Sequence, residues 1–543
     1  MIHKLKGKIK SVARNCAAAA RSVSPAERRK RAAYTAQRDE VETFLASIPA
    51  HDPILKGGNV LVDGTWDNPN YWLRFGLIRS ALGLQSSTLT GIVGQYRSRY
   101  CRRSFKNFGF DNVVEYTPKQ SAGFLRQARE MLESVKTPDD FLALRLPGGL
   151  PSDFLYDGIL KRQRAACVDI HAPSLADHLA EQLHAISWAQ RILNSQKYEL
   201  LIISHPINLF YAALTWTALS QNIPVFIPFG NYGVPRFVKM RTAADIRNMV
   251  DRPMPQNMES LSPERAAEFE SVGAACLQRR FAGQTDDLGA IYAFQKRKGY
   301  ITRAEIQKQF GWDPARPIVA FYASNWFDFP HGLGMSHFRD FLDWLQITVQ
   351  AAEKNTRVNW LFKAHPCDEW YGGITLSDLM PSLGSNNHVR IVPKDWNNTA
   401  LMNSVDALIT YHGTAGLEYA ASGKPVLLAD RGWYHDLGFA RCCSSRADYI
   451  QSLDTDWWSK FDTRDAARRA RTFCGYYLGR AAWQGDFLLQ DDSTQDAIYP
   501  KVIPLFKQTQ VWKREIETLR RWFLSPAPHY HTFKVQEAGS IPC

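Results

Sequence analysis

Two short segments in the second half of this 543-residue chain carry side chains suited to holding an anion. In Trp360-Leu-Phe-Lys-Ala-His-Pro366 an apolar run delivers Lys363 and His365 to its carboxyl end, and Pro366 fixes the turn. A lysine and a histidine so placed can hold a phosphate by charge-assisted hydrogen bonds. The second segment is Tyr411-His-Gly-Thr-Ala-Gly-Leu-Glu418. His412, Gly413 and Thr414 stand where a helix begins, and its free N–H groups attract anions. Thr414 can cap that helix, while Gly413 and Gly416 allow the backbone to approach a ligand. Glu418 lies one turn beyond Thr414 on the same face, where a carboxylate can accept hydrogen bonds from ribose hydroxyls. The cradle lacks a Walker lysine, and the same residues also fit an ordinary capped helix with Glu418 paired to Arg431 or Lys424.

A carboxylate pair stands in the first half of the chain. In Pro151-Ser-Asp-Phe-Leu-Tyr-Asp157, Asp153 and Asp157 are one helical turn apart, so both can face a cleft as base or nucleophile. An acid-rich helix N-terminus favoured by the helix dipole explains them as well.

Alternating apolar runs and amphipathic segments must position these groups. Strands are expected at Asn59 to Asp63, Leu200 to Ile203 and Val225 to Pro228, with helices over Tyr71 to Leu82, Gly123 to Val135, Ser174 to Ser195 and Leu209 to Ser220. A polar, helical stretch from Thr242 to Arg316 leads to a second block. There, strands are expected at Ile318 to Tyr322, Val358 to Lys363, Val389 to Val392, Ala407 to Thr410 and Pro425 to Ala429. Helices are expected between them and over Arg464 to Arg480 and Gln510 to Phe523. Strands alternating with helices imply parallel sheets covered on both faces, and ligands bind at the carboxyl ends of such strands. The expected class is therefore α/β, with a basic arm and helix over 1–50, a doubly wound lobe with its helical linker over 51–316, a second doubly wound lobe over 317–500, and a C-terminal helix and tail over 501–543.

The order of strand, Lys-x-His-Pro, strand, Gly-Thr-x-Gly-x-Glu and Gly-Lys-Pro-Val resembles the nucleotide-binding lobe of bacterial capsule and surface-polysaccharide glycosyltransferases. These are GT-B enzymes using cytidine-activated donors, notably the Kdo transferases. Tyr411-His412-Gly413 replaces the Ser/Thr-rich turn usual there. Pro151 to Arg162 is similar to the family's Gly-Asp-x-x-Tyr-Asp-x-x-x-Arg segment, with Ser152 in place of the glycine. The resemblance implies a transferase moving Kdo or a related ulosonic acid from a CMP-activated donor to a surface polysaccharide or lipid-linked glycan. Lys363, His365, Pro366, His412, Gly413, Thr414 and Glu418 would hold the nucleotide, with Ser324 and Asn325 bordering the donor and Asp157, ahead of Asp153, acting at the anomeric carbon. Acceptor contacts would come from His205, Asn231, Tyr232 and Arg236, beside the Trp66-Asp67-Asn68 loop. Asparagine and glycine in these loops equally suit plain turns. No metal or other cofactor is implied, since His365, Lys363 and the Thr414 helix terminus would stabilise the departing phosphate. Two alternatives keep the fold: a teichoic-acid type phosphotransferase using a CDP-polyol, and a glycan-binding scaffold without turnover.

Charge and composition narrow the partners. The net charge of +13 resides almost wholly in residues 1–38, where eleven Lys or Arg face the single acid Glu27. Basicity confined to an arm, with no stacking motif, argues against nucleic-acid binding. Within the arm Ile2, Leu5, Ile9 and Val12 recur at helical spacing among lysines, which suits either a helix on an anionic membrane or a solvated extension. No apolar run approaches the ~18 residues of a membrane span, and an apolar signal region is missing. Nine cysteines without metal or disulfide spacing suggest a reducing compartment, hence a cytoplasmic protein, peripheral at the membrane's inner face if the arm docks there.

Overall fold

The computed structural model describes residues 24–94, 98–118, 121–228, 230–231, 234–235, 237–247, 255–285, 288–294, 299–366, 368, 372–379, 387–479, 498–530 and 533. Residues 1–23, most of the basic arm, lie outside these, as do Tyr232 and Arg236.

Two six-stranded sheets form the framework. The first runs β3-β2-β1-β4-β5-β8, with β1 Asn59–Gly64, β2 Leu89–Val93, β3 Asn112–Glu115, β4 Tyr198–Ile202, β5 Val225–Ile227 and β8 Val238–Met240. A small antiparallel pair, β6 Gly230–Asn231 and β7 Val234–Pro235, precedes β8. The second sheet runs β11-β10-β9-β12-β13-β14, with β9 Ile318–Tyr322, β10 Asn359–Lys363, β11 Val389–Ile391, β12 Ala407–Thr410, β13 Val426–Leu428 and β14 Arg441–Cys442. Both have the central strand order of a doubly wound fold, and only β8 is antiparallel. This is the α/β, GT-B-like architecture expected: two Rossmann-like lobes.

The apolar runs explain the strands. Every residue of β9, β10 and β12 is buried, as a strand covered by helices on both faces requires. β2 and β3 were not expected from sequence. Thr90 and Gly91 interrupt β2, and β3 is a short edge strand, partly exposed. Gly91 is required because a Cβ there would stand 2.8 Å from the Phe105 ring.

The main helices are α1 Pro25–Ser47, α2 Pro69–Leu82, α3 Asp153–Gln163, α4 Leu209–Ser220, α5 Pro263–Phe281, α6 Phe341–Lys354, α7 Thr414–Ala421, α8 Thr463–Tyr477 and α9 Thr509–Leu524. Packing departs from the expected divisions in three places. Part of the arm is structural: Arg38 of α1 is fully buried, bonded to Glu42 at 2.9 Å and Asp67 at 2.8 Å. Helix α5, assigned on sequence to the first lobe's linker, crosses α8 of the second lobe at Gly273 and Gly475. A Cβ on either would stand within 2 Å of a backbone oxygen of the other helix. The C-terminal α9 returns to the first lobe, where Trp522 packs against Phe226 and Lys239 Nζ donates to the carbonyls of Trp522, Phe523 and Ser525.

Candidate functional site

The loops leaving the second sheet collect most of the expected anion-binding residues. Lys363 ends β10 almost buried, its ammonium 5.5 Å above the Tyr322 ring. His365 and Pro366 follow, half-buried. Just beyond, burial pushes the Asp368 carboxyl up to about 7, against the lowering pull of Lys394 and Lys363. The loop after β9 places Ser324 half-buried and Asn325 buried, with Asn325 Oδ1 accepting the Phe327 N–H.

At the end of β12, burial lowers the His412 imidazole to about 4, so the ring is neutral. Gly413 is the N-cap of α7 and Thr414 opens the helix, with no side chain capping it. Gly416 serves packing instead of ligand approach: a Cβ there would stand 2.1 Å from the Tyr434 hydroxyl, which donates to the Gly413 carbonyl at 2.6 Å. Glu418 is also corrected. It is buried and paired at 2.5 Å with Arg280 of α5, and not with Arg431 or Lys424, so it is not an open acceptor for ribose. Asp430, after β13, organises the neighbouring loop. It is fully buried and accepts from the Ser336 N–H and hydroxyl, the His337 and Arg431 N–H groups and the Tyr411 hydroxyl. Burial raises its pKa, but these donors outweigh that and hold the carboxyl below its ordinary range.

The acidic pair of α3 divides. Asp157 is 1% exposed, with one oxygen 2.7 Å from His331 Nδ1 and the other accepting the Gly332 N–H at 2.9 Å. The expected cleft-facing nucleophile is therefore a strut between lobes, because both oxygens are already engaged. Tyr156 to Asp340 at 2.6 Å and Lys161 to Asp328 at 2.6 Å continue the junction. Asp153 lies one turn nearer the opening. One oxygen meets Arg247 at 2.6 Å, and the carboxylate borders a cavity of about 430 Å³ with His331, Ser336, His337, Arg339 and Arg446. Helical spacing places the two acids on one face, yet it cannot show that the second lobe covers half of that face.

In the first lobe, the end of β1 faces the loop after β4. Asp63 gathers Thr65 and Ser204, and His205 sits beside Ser204 with its ring 4.7 Å from Trp66. Trp66 is 38% exposed, an aromatic surface of the kind sugars stack on. The buried Arg38 holds the adjoining Asp67, so α1 braces this loop. Asn231 lies in the small β6–β7 pair. Sequence reasoning named His205 but missed Asp63, Thr65 and Tyr211, since nothing in a strand's pattern marks its last carboxylate as a hub.

Among the described residues, no group of three His, Cys, Asp or Glu side chains is placed to hold a metal ion, and no helix is long and apolar enough to cross a membrane.

Comparison with known proteins bears on the second lobe. Residues 335–448 match a family model described as "capsule polysaccharide biosynthesis protein". That span contains Lys363, His365, the His412–Glu418 turn and Asp430. No curated protein sequence matches the chain. Among solved structures, a UDP-GlcNAc 2-epimerase from Neisseria meningitidis is 12% identical, covering 82% of this chain and 100% of its own, with a TM-score of 0.23. A glycosyltransferase from Rickettsia africae is 10% identical over 86% and 100% of the two chains, at 0.25. The wall teichoic acid polymerase TagF is 10% identical over 90% and 100%, at 0.23. Likeness of this order carries no residue or activity over to this protein.

Proposed function

We propose that the protein is a nucleotide-sugar-dependent glycosyltransferase of surface-polysaccharide assembly, transferring Kdo or a related ulosonic acid from a CMP-activated donor to a polysaccharide or lipid-linked glycan. The observation that carries this reading is the capsule-biosynthesis match over the very loops that leave the second sheet. The nucleotide phosphate would lie between Lys363, His365 and the open N-terminus of α7 at Gly413 and Thr414. Ser324 and Asn325 border that position from β9. The acceptor would lie on the first lobe against Trp66 and His205, and the resemblance adds Asn231, Tyr232 and Arg236 to its contacts. Of the two α3 acids, Asp153 is the one that reaches the interlobe cavity and is the better candidate for a role beside the reacting sugar.

The chemistry asked of the second lobe is electrostatic. A lysine, a histidine and helix N–H groups aimed at the departing phosphate stabilise charge as it develops, and the reading needs no cofactor. The basic residues 1–23 would bring the enzyme to an anionic membrane where lipid-linked acceptors reside. Thermal-shift measurement with CMP, CDP, UDP and GDP tests the donor assignment, because a ligand of the native state raises the midpoint. A preference for CMP supports it. A shift with UDP or CDP alone would replace the donor, and CDP would favour polyol-phosphate transfer.

A further inference from the structure

A cavity of about 430 Å³ opens where the lobes meet, a size that suits a small ligand. Asp139 and Asp153 line it from the first lobe, and His331, His337, Arg339 and Arg446 from the second. The second-lobe wall is tied to the nucleotide loops. The Ser336 and His337 N–H groups each donate to Asp430 at 2.7 Å, and the Tyr411 hydroxyl donates to the same carboxylate, one residue before His412. A single carboxylate thus joins the cavity wall to the turn that opens α7.

The arginines of this wall have hydrogens to spare. Arg446 donates through Nη1 and Nη2 to both oxygens of Asp343, at 2.6 and 3.0 Å, with its guanidinium 5.6 Å from the centre of the Phe338 ring. Its Nε and outer Nη hydrogens remain. The Arg339 side chain donates only through Nε, to Asp340 at 3.2 Å, so Nη1 and Nη2 make no hydrogen bond to a described residue. Asp139 lies 3.8 Å from Nη1, too far for one. Burial lowers the His331 pKa, but Asp157 and Asp153 outweigh it and favour the protonated ring, whose Nε2–H has no partner among the described residues. One acceptor is open as well. Asp153 Oδ2 accepts from Arg247 at 2.6 Å, while Oδ1 is buried with no hydrogen-bond partner among the described residues. A carboxylate oxygen left so costs free energy, and a ligand hydroxyl would satisfy it.

We propose that this cavity takes a sugar acid, whose carboxylate lies against Arg339 and Arg446 and whose neighbouring hydroxyl donates to Asp153 Oδ1. The proposal deepens the transferase reading above, on which it rests for the identity of the acid, and makes the two arginines determinants of specificity. A planar carboxylate matches the fork of a guanidinium, and Arg339 offers that fork unspent. A neutral sugar would leave the arginine hydrogens unpaired. Inorganic phosphate would leave Asp153 Oδ1 facing another anion. The carboxylate belongs either to the sugar of the donor or to an acidic residue of the acceptor glycan, and binding measurements separate the two.

Ligand-observed NMR of free Kdo with the full chain tests the site, with glucose, acetate and inorganic phosphate as competitors. Kdo should bind the wild type, and none of the three should displace it at equal concentration. Arg339→Gln and Arg446→Gln should each weaken Kdo binding by about tenfold or more. Arg446 is half-exposed, so Arg446→Gln should melt as the wild type does and keeps the test open if Arg339→Gln fails to fold. Displacement of Kdo by glucose or phosphate, or equal Kdo affinity in wild type and Arg446→Gln, would overturn the site. CMP-Kdo and the octyl glycoside of Kdo distinguish the sources. If the donor's carboxylate occupies the cavity, Arg446→Gln lowers CMP-Kdo affinity and leaves that of CMP unchanged; if the acceptor's does, it lowers the affinity of the octyl glycoside alone. A wild type that binds Kdo and not CMP keeps the site and overturns the nucleotide reading. One that binds CMP and not Kdo keeps that reading and overturns the site.

Discussion

Asp157 of the first lobe and His331 of the second meet at 2.7 Å in a buried contact that fastens the lobes together. Burial raises the Asp157 pKa against the lowering effect of His331. Burial lowers the His331 pKa, but the charge and hydrogen bond of Asp157 together with the charge of Asp153 outweigh that, so His331 is raised. The Gly332 N–H on the second Asp157 oxygen favours the carboxylate form, and with it a protonated His331.

His331 holds its proton more tightly folded than unfolded, so its contribution is complete below the ordinary histidine range and fades as pH rises through the raised His331 value. The melting temperature of wild type relative to His331→Gln should therefore fall as pH is raised from 6 towards 9. A difference that grows with pH would refute a raised His331 in the folded pair.

Asp157→Asn should destabilise by about 3 kcal/mol, the cost of breaking a buried pair, with CMP affinity retained. Urea unfolding and CMP titration of one preparation separate the effects. Unchanged stability with abolished turnover would return Asp157 to the chemistry.

The Glu418–Arg280 pair is structural, so Glu418→Ala should cost about 3–5 kcal/mol and lower the melting point before any effect on nucleotide is seen. Normal melting with selectively weakened CMP binding would restore the ribose contact.

Much of this was legible in the sequence. β9, β12 and α4 fall at their expected bounds, because unbroken apolar runs of those lengths have few other ways to be buried. The strand-end positions of Lys363 and His365 followed from the same runs. What could not be read was long-range. Polar α5 looks like a linker until Gly273 and Gly475 bring it against α8, and only that contact delivers Arg280 to Glu418. Likewise, no local pattern ties Asp157 to His331, which is 174 residues away.

Gly475→Ala tests that helix crossing. Its new methyl would overlap the Phe269 carbonyl, 1.8 Å from the Cβ position, so α5 must move. We expect a loss of about 1–3 kcal/mol by chemical denaturation, and stability equal to wild type would contradict the close approach.

Removing residues 1–23 deletes six Lys or Arg and no acid while sparing Arg38. The shortened protein should melt normally and leave anionic vesicles, with wild-type binding weakening as salt rises. Deletion through residue 38 should be destabilising, since Glu42 and Asp67 lose their buried partner. Equal vesicle retention by wild type and the 1–23 deletion would place the anchor elsewhere.

The central claim is a nucleotide site at the ends of β10 and β12, and calorimetric titration of CMP into wild type and His365→Ala tests it most directly. The account predicts that wild type binds CMP and that His365→Ala melts normally but binds more than tenfold more weakly, a loss of ~1.5–3 kcal/mol for a charge-assisted phosphate contact. Equal CMP affinity in the two proteins, both correctly folded, would contradict it.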